Sequence, residues 1–197
     1  MSYARWWKRY SLKRREKDDG QIKDGGMRIL GIDPGSVNCG YGLILFQKSE
    51  KKLSTSRSAN SELKYFSSGR IVMPASKPLH ARLKELYASL VDVISEYKPD
   101  EIAIEKIFFA KGTKAALSLG HTRGVVLLAA ALTGLSIYEY SALEVKKAVV
   151  GYGRADKNQV QKMVREILRI NNSLSPDSAD ALALAVCHAN TRQLISR

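Results

Sequence analysis

The sequence predicts an α/β domain in which a mixed sheet of five strands is flanked by helices. Three observations predict it: short apolar runs of strand length, longer segments with apolar residues at helical spacing, and turn residues between them. The predicted elements follow the order βββαβαβ and end with two further helices. That order implies a mixed sheet with helices packed on its faces.

The first part of the chain predicts three strands. They cover residues 28–33, 41–46 and 65–72. A turn that contains Pro34, Gly35 and Gly40 separates the first two. Residues 48–62 are rich in Ser and Lys and poor in apolar residues, which predicts a mobile connection to the third strand.

The middle of the chain predicts helices that alternate with short strands. Apolar residues recur at helical spacing over Leu79–Tyr97, and this helix should end before Pro99. A largely buried helix is predicted over Thr113–Thr133, interrupted or relaxed near Gly120 and Gly124. We predict the two remaining strands over Glu101–Glu105 and Ser136–Tyr140.

The last two predicted helices carry recognisable N-terminal signals. Residues 160–168 have an amphipathic pattern, and Asp156 with Gln159 forms a capping-box-like start before it. Ser175 and Pro176 open the final helix as its N-cap and its first-turn proline. Each signal marks the start of a helix.

Composition narrows the class of partner. The 197 residues suit one compact domain, and 32 Lys and Arg against 19 Asp and Glu give a net charge of +13. This balance favours a polyanion, and we weight nucleic acid above lipid headgroups. The longest apolar run, residues 125–132, is far shorter than the roughly 20 residues of a membrane-spanning helix, so we expect no membrane partner. The two cysteines suggest neither a disulfide framework nor a zinc site, and the reducing cytoplasm is the expected location.

Both ends of the chain differ from the predicted domain. Residues 1–26 carry eight basic residues and both tryptophans without an apolar period, which predicts a disordered basic extension. Such an arm could lie along phosphates, could be without function, or could precede a true translation start at Met27. We place the folded domain over residues 27–190 and a short C-terminal tail over residues 191–197.

Two acidic residues end predicted buried strands. Asp33 closes the first strand directly before Pro34 and Gly35, and ligands gather at such strand ends in α/β folds. An ordinary turn start and a nucleotide-binding loop like that of actin-like ATPases remain alternative interpretations of this sequence. Glu105 ends the apolar strand Glu101–Glu105, where a carboxylate must reach solvent, pair with a cation or hold a metal ion.

Two further acids begin the last helix. Asp177 and Asp180 are three residues apart and therefore share one face. The helix dipole is a sufficient explanation for Asp177, because an acid in a first turn is stabilised by up to about 1 kcal/mol. It explains Asp180 poorly, since the residues around Asp180 are apolar and an acid there needs a partner. A metal ion is the obvious partner.

The four carboxylates together predict a site for hard cations. No His or Cys cluster competes with them, and oxygen ligands select Mg²⁺ or Mn²⁺ over zinc. Two such ions about 3.5 to 4 Å apart activate a water and stabilise the leaving oxygen of an in-line phosphodiester displacement. The basic composition and an acidic site are then consistent, because metal ions remove the repulsion between the acids and a nucleic-acid backbone.

The motifs that carry these acids resemble, in order and spacing, the RuvC family of crossover junction endodeoxyribonucleases, the bacterial Holliday junction resolvases. The resemblance extends from Met27 to about Asn190. It rests on residues 31–36 (GIDPGS), 40–42 (GYG), 103–108 (AIEKIF), 120–124, 145–146 (VK), 149–151 (VVG), Lys157 and 177–183 (DSADALA). Residues 1–26 and the long connection over residues 48–62 depart from the family pattern.

The resemblance implies a ribonuclease-H-like fold and paired nicks in four-way junction DNA. It implies a homodimer, about two Mg²⁺ ions per subunit with Mn²⁺ as a substitute, and the RuvA–RuvB branch-migration complex as partner. It assigns Asp33, Glu105, Asp177 and Asp180 as catalytic metal ligands. It places Phe108 in a loop that stacks at the opened junction, and Lys146 and Lys157 near the DNA. Lys111 and Lys114 follow Phe108 in the sequence, which predicts two further DNA contacts, with phosphates beside the stacked base.

Three other functions remain open from the sequence. A related ribonuclease-H-like nuclease could use the same acids on RNA–DNA hybrids or rRNA precursors. An actin-like ATPase would place a nucleotide at Asp33, although no further Gly-rich phosphate segments follow later strands. A DNA-binding module without catalysis would explain the charge but would leave Asp180 unexplained.

Overall fold

The computed structural model describes residues 26–47, 62–106 and 112–195. The five strands are β1 (Met27–Pro34), β2 (Asn38–Gln47), β3 (Glu62–Val72), β4 (Glu101–Glu105) and β5 (Ser136–Tyr140). The five helices are α1 (Leu79–Tyr97), α2 (Thr113–Thr133), α3 (Ala142–Val150), α4 (Lys157–Leu168) and α5 (Pro176–Ile195). Residues 1–25 and 48–61, and with them most of the predicted basic extension and mobile connection, lie outside the described residues.

One mixed sheet confirms the predicted fold class. Its strand order is β3-β2-β1-β4-β5, with antiparallel pairs between β1, β2 and β3 and parallel pairs between β1, β4 and β5. In the β1–β4 register, Ile32 lies opposite Ile104, one residue before Asp33 and Glu105. The parallel pairing therefore brings these two acids to the same edge of the sheet.

The helix prediction was wrong at two places. Three helices follow β5, not two, because residues 142–150 form α3. Its signals were a Ser141–Glu144 capping box and a C-terminal Gly151 with φ of 91°, a conformation that glycine adopts without strain. Helix α2 is also continuous through Gly120 and Gly124, where an interruption or relaxation was expected.

Two hydrophobic cores lie on opposite faces of the sheet. Helices α1 and α2 cover one face, where Leu86 and Val126 pack with Ile104. Helices α3, α4 and α5 cover the other face, where Val145 and Val164 pack with Leu182. Odd-numbered residues of β4 point towards α5, so Glu105 faces the second layer of helices.

Helix α5 lies directly on a surface of glycines. A Cβ atom at Gly31 would overlap the carbonyl oxygen of Ala181, and one at Gly40 would overlap that of Asp177. Gly42 makes a similar close approach to Leu182. The absence of side chains at these three glycines thus lets the helix that carries two of the acids approach the strand that carries Asp33.

A buried polar cluster holds the far part of α5 against β4 and β5. His188 is 1% exposed and contacts Glu101 Oε2 through Nε2 at 2.6 Å and the Tyr140 hydroxyl through Nδ1 at 2.5 Å. Burial lowers the pKa of His188 to about 4, so the ring is neutral near pH 7. A neutral ring satisfies both contacts when Nε2–H donates to Glu101 and Nδ1 accepts from Tyr140. His188 therefore has a structural role in this cluster.

The C-terminal helix passes the domain boundary that was placed at residue 190. Helix α5 continues to Ile195, and Arg192 in this last part donates from Nε to Glu101 Oε2 at 3.0 Å. Residues 191–195 thus take part in the fold through the same polar cluster.

Helix α2 leaves an apolar face exposed. Leu117 is 63% exposed, Leu128 is 52% exposed and Leu132 is 37% exposed. By length and composition alone, residues Ala115–Thr133 would suffice to cross a membrane, and 22% of that stretch is buried within the chain. An exposed apolar face of this kind is typical of a surface that contacts another molecule.

Candidate active site

The structure brings three of the four predicted acids into one cavity. Asp33 at the end of β1, Glu105 at the end of β4 and Asp180 in the second turn of α5 line a space of about 360 Å³. Lys146 of α3 and Lys157 at the start of α4 line the same cavity. Five separate elements therefore deliver acidic and basic side chains to one cleft.

The proximity of these acids is visible in the electrostatics of Asp33. Burial is the largest cause that raises the pKa of Asp33 to about 7, followed by the negative charges of Asp180, Glu105 and Asp177 in that order. Lys157 opposes the shift but does not cancel it. The unneutralised cluster thus favours either a proton or a bound cation at Asp33.

Lys157 supplies one positive charge to this cluster. Its Nζ lies 2.6 Å from Asp180 Oδ2, and this hydrogen bond raises the pKa of the Lys157 ammonium. An Asp156–Gln159 capping box starts α4 at this residue, as the sequence predicted. Lys157 therefore lies within reach of both the acids and any phosphate that enters the cavity.

Asp177 takes a more peripheral position than the other acids. It does not line the cavity, its side chain is 28% exposed, and its nearest cation is Arg70 of β3 at 3.9 Å. The Ser175 hydroxyl accepts from the Ser178 backbone N–H at 3.2 Å, which confirms the predicted N-cap. The charge of Asp177 nevertheless reaches Asp33 and contributes to its raised pKa.

The donor set fits divalent cations that prefer oxygen. Among the described residues, no three His, Cys, Asp or Glu side chains form a ready ligand cage for a single ion. Mg²⁺ does not require such a cage, because it keeps several waters and is commonly bound by one or two carboxylates. Two carboxylates per ion would be consistent with that mode of binding. The raised pKa of Asp33 agrees with it, because a nearby cation would relieve the repulsion between these acids.

The structure leaves three predicted DNA contacts without a position. Phe108 and Lys111 lie outside the described residues. Lys114 belongs to the first turns of α2, and only its backbone is described. Of the five predicted DNA contacts, Lys146 and Lys157 are thus the two that the structure brings to the carboxylate cavity.

Sequence reasoning missed two arginines beside the acids. Arg70 approaches Asp177, and Arg123 donates from a guanidinium nitrogen to the carbonyl oxygen of Glu105 at 2.7 Å. A single Arg within the apolar stretch Ala115–Thr133 was a usable signal for Arg123, of the same kind as that used for Asp180. No comparable signal marked Arg70, because β3 is a largely exposed strand.

A larger groove lies away from the acids. It measures about 790 Å³ and is lined by residues from the start of β3, the end of α4 and α5, including Glu62 and Arg169. None of Asp33, Glu105, Asp177 and Asp180 lines it. Volume alone would therefore select the wrong part of the surface, and the grouping of acids decides the site.

The repulsion at Asp33 predicts the pH dependence of stability without metal ions. The pKa of Asp33 in the folded chain is about 7, above the ordinary value of 3.8. Between about pH 4 and 7, Asp33 therefore keeps its proton in the folded chain, whereas the unfolded chain has released it. Stability contributed by Asp33 therefore falls as pH rises through this window, by at most about 1.4 kcal/mol per pH unit. We expect Asp33→Asn to flatten the melting temperature profile measured in EDTA between pH 4 and 8. An unchanged slope would contradict the shift.

Comparisons with known proteins point to one family. The family model described as "Crossover junction endodeoxyribonuclease RuvC" matches residues 29–188. A protein of that name from Caldicellulosiruptor saccharolyticus is 47% identical over 163 residues, which cover 82% of this chain and 92% of the relative. A protein of the same name from Saccharophagus degradans is 44% identical over 169 residues, which cover 86% of this chain and 91% of the relative.

Solved structures agree with the sequence comparisons. The Thermus thermophilus RuvC structure superposes with a TM-score of 0.72 at 30% identity, covering 85% of this chain and 96% of that one. The structure of T. thermophilus RuvC in complex with a Holliday junction substrate superposes with a TM-score of 0.72 at 26% identity, with the same coverage of both chains. The yeast mitochondrial Holliday junction resolvase Ydc2, at 13% identity and a TM-score of 0.60, shares the fold.

Proposed function

The chain belongs to the RuvC family of crossover junction endodeoxyribonucleases, and from this premise we propose how its residues resolve four-way DNA junctions by paired nicks. The enzyme is a metal-dependent phosphodiester hydrolase of DNA recombination and repair. One observation carries the assignment of the site: Asp33, Glu105 and Asp180 line one cavity together with Lys146 and Lys157. Acids that hold cations and lysines that meet phosphates are both needed to cut a polyanion.

We assign the metal ligands to Asp33, Glu105, Asp177 and Asp180. Bound Mg²⁺, two ions per subunit with Mn²⁺ as a substitute, would activate water and stabilise the leaving oxygen. Asp33 and Glu105 are held by adjacent strands, so their spacing is set by the sheet. Asp180 and the more peripheral Asp177 come from one helix face and close the cluster from the opposite side.

Lys146 and Lys157 are the proposed phosphate contacts of the cavity. Lys157 pairs with Asp180, and a scissile phosphate that enters the cavity would offer its ammonium a second anionic partner. Lys146, from the facing helix α3, would contact the same strand of DNA. Both charges lower the repulsion between the carboxylates and the nucleic-acid backbone.

Phe108 is proposed to stack on a base at the opened crossover, with Lys111 and Lys114 at neighbouring phosphates. Stacking contributes about 1 to 3 kcal/mol per base. Phe108→Ala should therefore slow junction cleavage about 5- to 150-fold at an unchanged melting temperature, and Phe108→Tyr should restore part of the rate. Phe66, 48% exposed on β3, is a matched control whose replacement should leave cleavage intact. A large fall in melting temperature for Phe108→Ala would instead place the ring in the core.

A second copy of the chain is the proposed cover for the exposed face of α2. Leu117, Gly120, Gly124 and Leu128, which we call the α2 seam, follow one another at spacings of three and four residues and so share one face. A side chain at Gly120 or Gly124 would meet nothing within 4 Å among the described residues, so the described part of one subunit does not require these glycines. Small residues between leucines allow two helices to approach closely, and a symmetric pair suits a substrate that needs two matched cuts.

Leu128→Glu tests this arrangement. A buried charge on each side of the α2 seam should convert a dimer to a monomer in sedimentation equilibrium, and paired nicks should become single nicks. Leu194→Glu is the matched control, because Leu194 is 69% exposed at the far end of α5. A Leu128→Glu protein that stays dimeric would remove the seam from the interface. Binding of the wild type to lipid vesicles would show that a membrane covers α2 instead.

The location, the protein partner and the basic extension are also part of the proposal. We propose a cytoplasmic location, as the two cysteines suggest. We also propose cooperation with the RuvA–RuvB branch-migration complex, as the family resemblance implies. Residues 1–26 would add phosphate contacts through their eight basic side chains without taking part in cleavage. Their removal should weaken general DNA affinity and its salt dependence only.

A cleavage assay tests the proposed function directly. A synthetic four-way junction, a linear duplex of the same sequence and an RNA–DNA hybrid are incubated with the full chain in Mg²⁺ or in EDTA. We expect cleavage of the junction in Mg²⁺ alone, at positions related by two-fold symmetry. Preferential cleavage of the hybrid would identify another ribonuclease-H-like nuclease, and binding without cleavage would identify a DNA-binding module.

A further inference from the structure

Arg123 of helix α2 connects two strands at the edge of the sheet that carries the acids. One guanidinium nitrogen donates to the Glu105 carbonyl oxygen at 2.7 Å, and the other lies 2.7 Å from Glu139 Oε2 on β5. The Arg123 side chain is 15% exposed. Arg123 does not line the carboxylate cavity, so its charge acts from outside it.

The backbone at Glu105 lies where the sheet ends. The paired residues of β1 and β4 end at Ile32 and Ile104, one residue before Glu105. On the other side, the Lys106 backbone N–H donates to the Tyr140 carbonyl oxygen at 2.8 Å, which continues the pairing of β4 with β5. Arg123 therefore donates a hydrogen bond to the Glu105 carbonyl at the point where the pairing of β4 with β1 ends.

The hydrogen bond from Arg123 to the Glu105 carbonyl has two features of a strong contact. Hydrogen bonds from a charged guanidinium are stronger than those between neutral groups, and little water competes at a mostly buried side chain. The planar guanidinium reaches two acceptors at once in a fixed geometry, which a lysine ammonium on a flexible chain does not reproduce. Glu139 in turn fixes the orientation of the guanidinium.

We propose that Arg123 is a positioning residue of the metal site, which holds the backbone of Glu105 and thereby directs its carboxylate into the cavity. The inference rests on the proposed function, because it takes Glu105 to be a metal ligand. Mg²⁺ and Mn²⁺ tolerate little displacement of their ligands, since near-ideal octahedral geometry is required. A residue that orients a ligand without contacting the ion commonly changes metal affinity about 10- to 100-fold when it is lost.

The test measures metal binding apart from cleavage. Mn²⁺ is titrated by calorimetry into the full-length wild type and into Arg123→Met, Arg123→Lys and Glu139→Gln. We expect Arg123→Met to bind Mn²⁺ at least about tenfold more weakly, Arg123→Lys to lie between it and the wild type, and Glu139→Gln to show a smaller loss. The cleavage rate of Arg123→Met should recover at high Mg²⁺, because the ligands themselves remain.

Arg28→Met is the matched control. Arg28 also donates from its guanidinium to a backbone carbonyl, that of Tyr97 at 2.8 Å, but near the start of β1 and away from the acids. Its loss should lower the melting temperature without changing Mn²⁺ affinity. Sedimentation of each variant separates an effect at Glu105 from loss of the dimer, because Arg123 directly precedes Gly124 of the α2 seam.

The outcomes separate this inference from the proposed function. If Asp33→Asn and Glu105→Gln lose Mn²⁺ while Arg123→Met binds it like the wild type, the positioning role is wrong and the metal site stands. If Arg123→Met does not fold, Arg123→Lys and Glu139→Gln decide, and wild-type affinity in both overturns the inference. If the wild type binds no Mn²⁺, the proposed site and this inference both fail.

Discussion

Asp33→Asn and Glu105→Gln are each expected to lower the rate of junction cleavage by more than about 1,000-fold while junction binding is kept or strengthened. Each change removes one proposed metal ligand from the acid cluster and one negative charge that would face the DNA phosphates. The magnitude follows from the loss of metal-ion chemistry, which contributes several kcal/mol to the stabilisation of the transition state. Single-turnover cleavage in Mg²⁺ and binding in EDTA give the two quantities separately.

Asp156→Asn is the control for this pair of variants. Asp156 is an exposed acid directly before Lys157, it does not line the cavity, and asparagine can replace it as an N-cap. It should cleave at close to the wild-type rate. Cleavage within tenfold of the wild type by Asp33→Asn or Glu105→Gln would remove that residue from the metal site.

Gly31→Ala is expected to lower the free energy of unfolding by about 3 kcal/mol or more and to abolish cleavage. The added Cβ would overlap the Ala181 carbonyl oxygen, and neither of these two backbones can yield without separating α5 from the sheet. Asp180 directly precedes Ala181, so the same displacement would move a proposed ligand. Urea unfolding and Mn²⁺ calorimetry measure the two effects.

Gly112→Ala provides the comparison for this substitution. A Cβ at Gly112 meets nothing within 4 Å among the described residues, so its replacement should change stability by about 1 kcal/mol or less. If Gly31→Ala were as stable as Gly112→Ala, α5 would not rest on β1 in the way the structure shows. If it were unstable but bound Mn²⁺ normally, the packing of α5 and the placement of Asp180 would be independent.

The positions of the strands along the chain and the identity of the acids could be predicted because both are local properties. Apolar runs that end in Asp33 and Glu105 show where buried strands meet polar surroundings, and parallel strands bring their carboxyl ends to one edge. Asp180 was identifiable because its neighbours in the sequence are apolar and therefore buried on every side. Helix α3 was missed although its capping box is visible in the sequence, since a nine-residue helix has little periodicity to recognise.

Sequence alone thus established the fold class, the family and four candidate ligands, because these depend on patterns within short segments. Tertiary structure alone decided which acids share the cavity, that Asp177 pairs with Arg70 at its margin, and that Lys157 reaches Asp180. It also showed that the Arg123 guanidinium donates to the Glu105 carbonyl oxygen. These contacts join residues 18 to 107 positions apart, and those of Asp177 and Asp180 depend on the glycines of β1 and β2 that let α5 lie directly on the sheet. No periodicity or motif within a single segment encodes a distance of that kind.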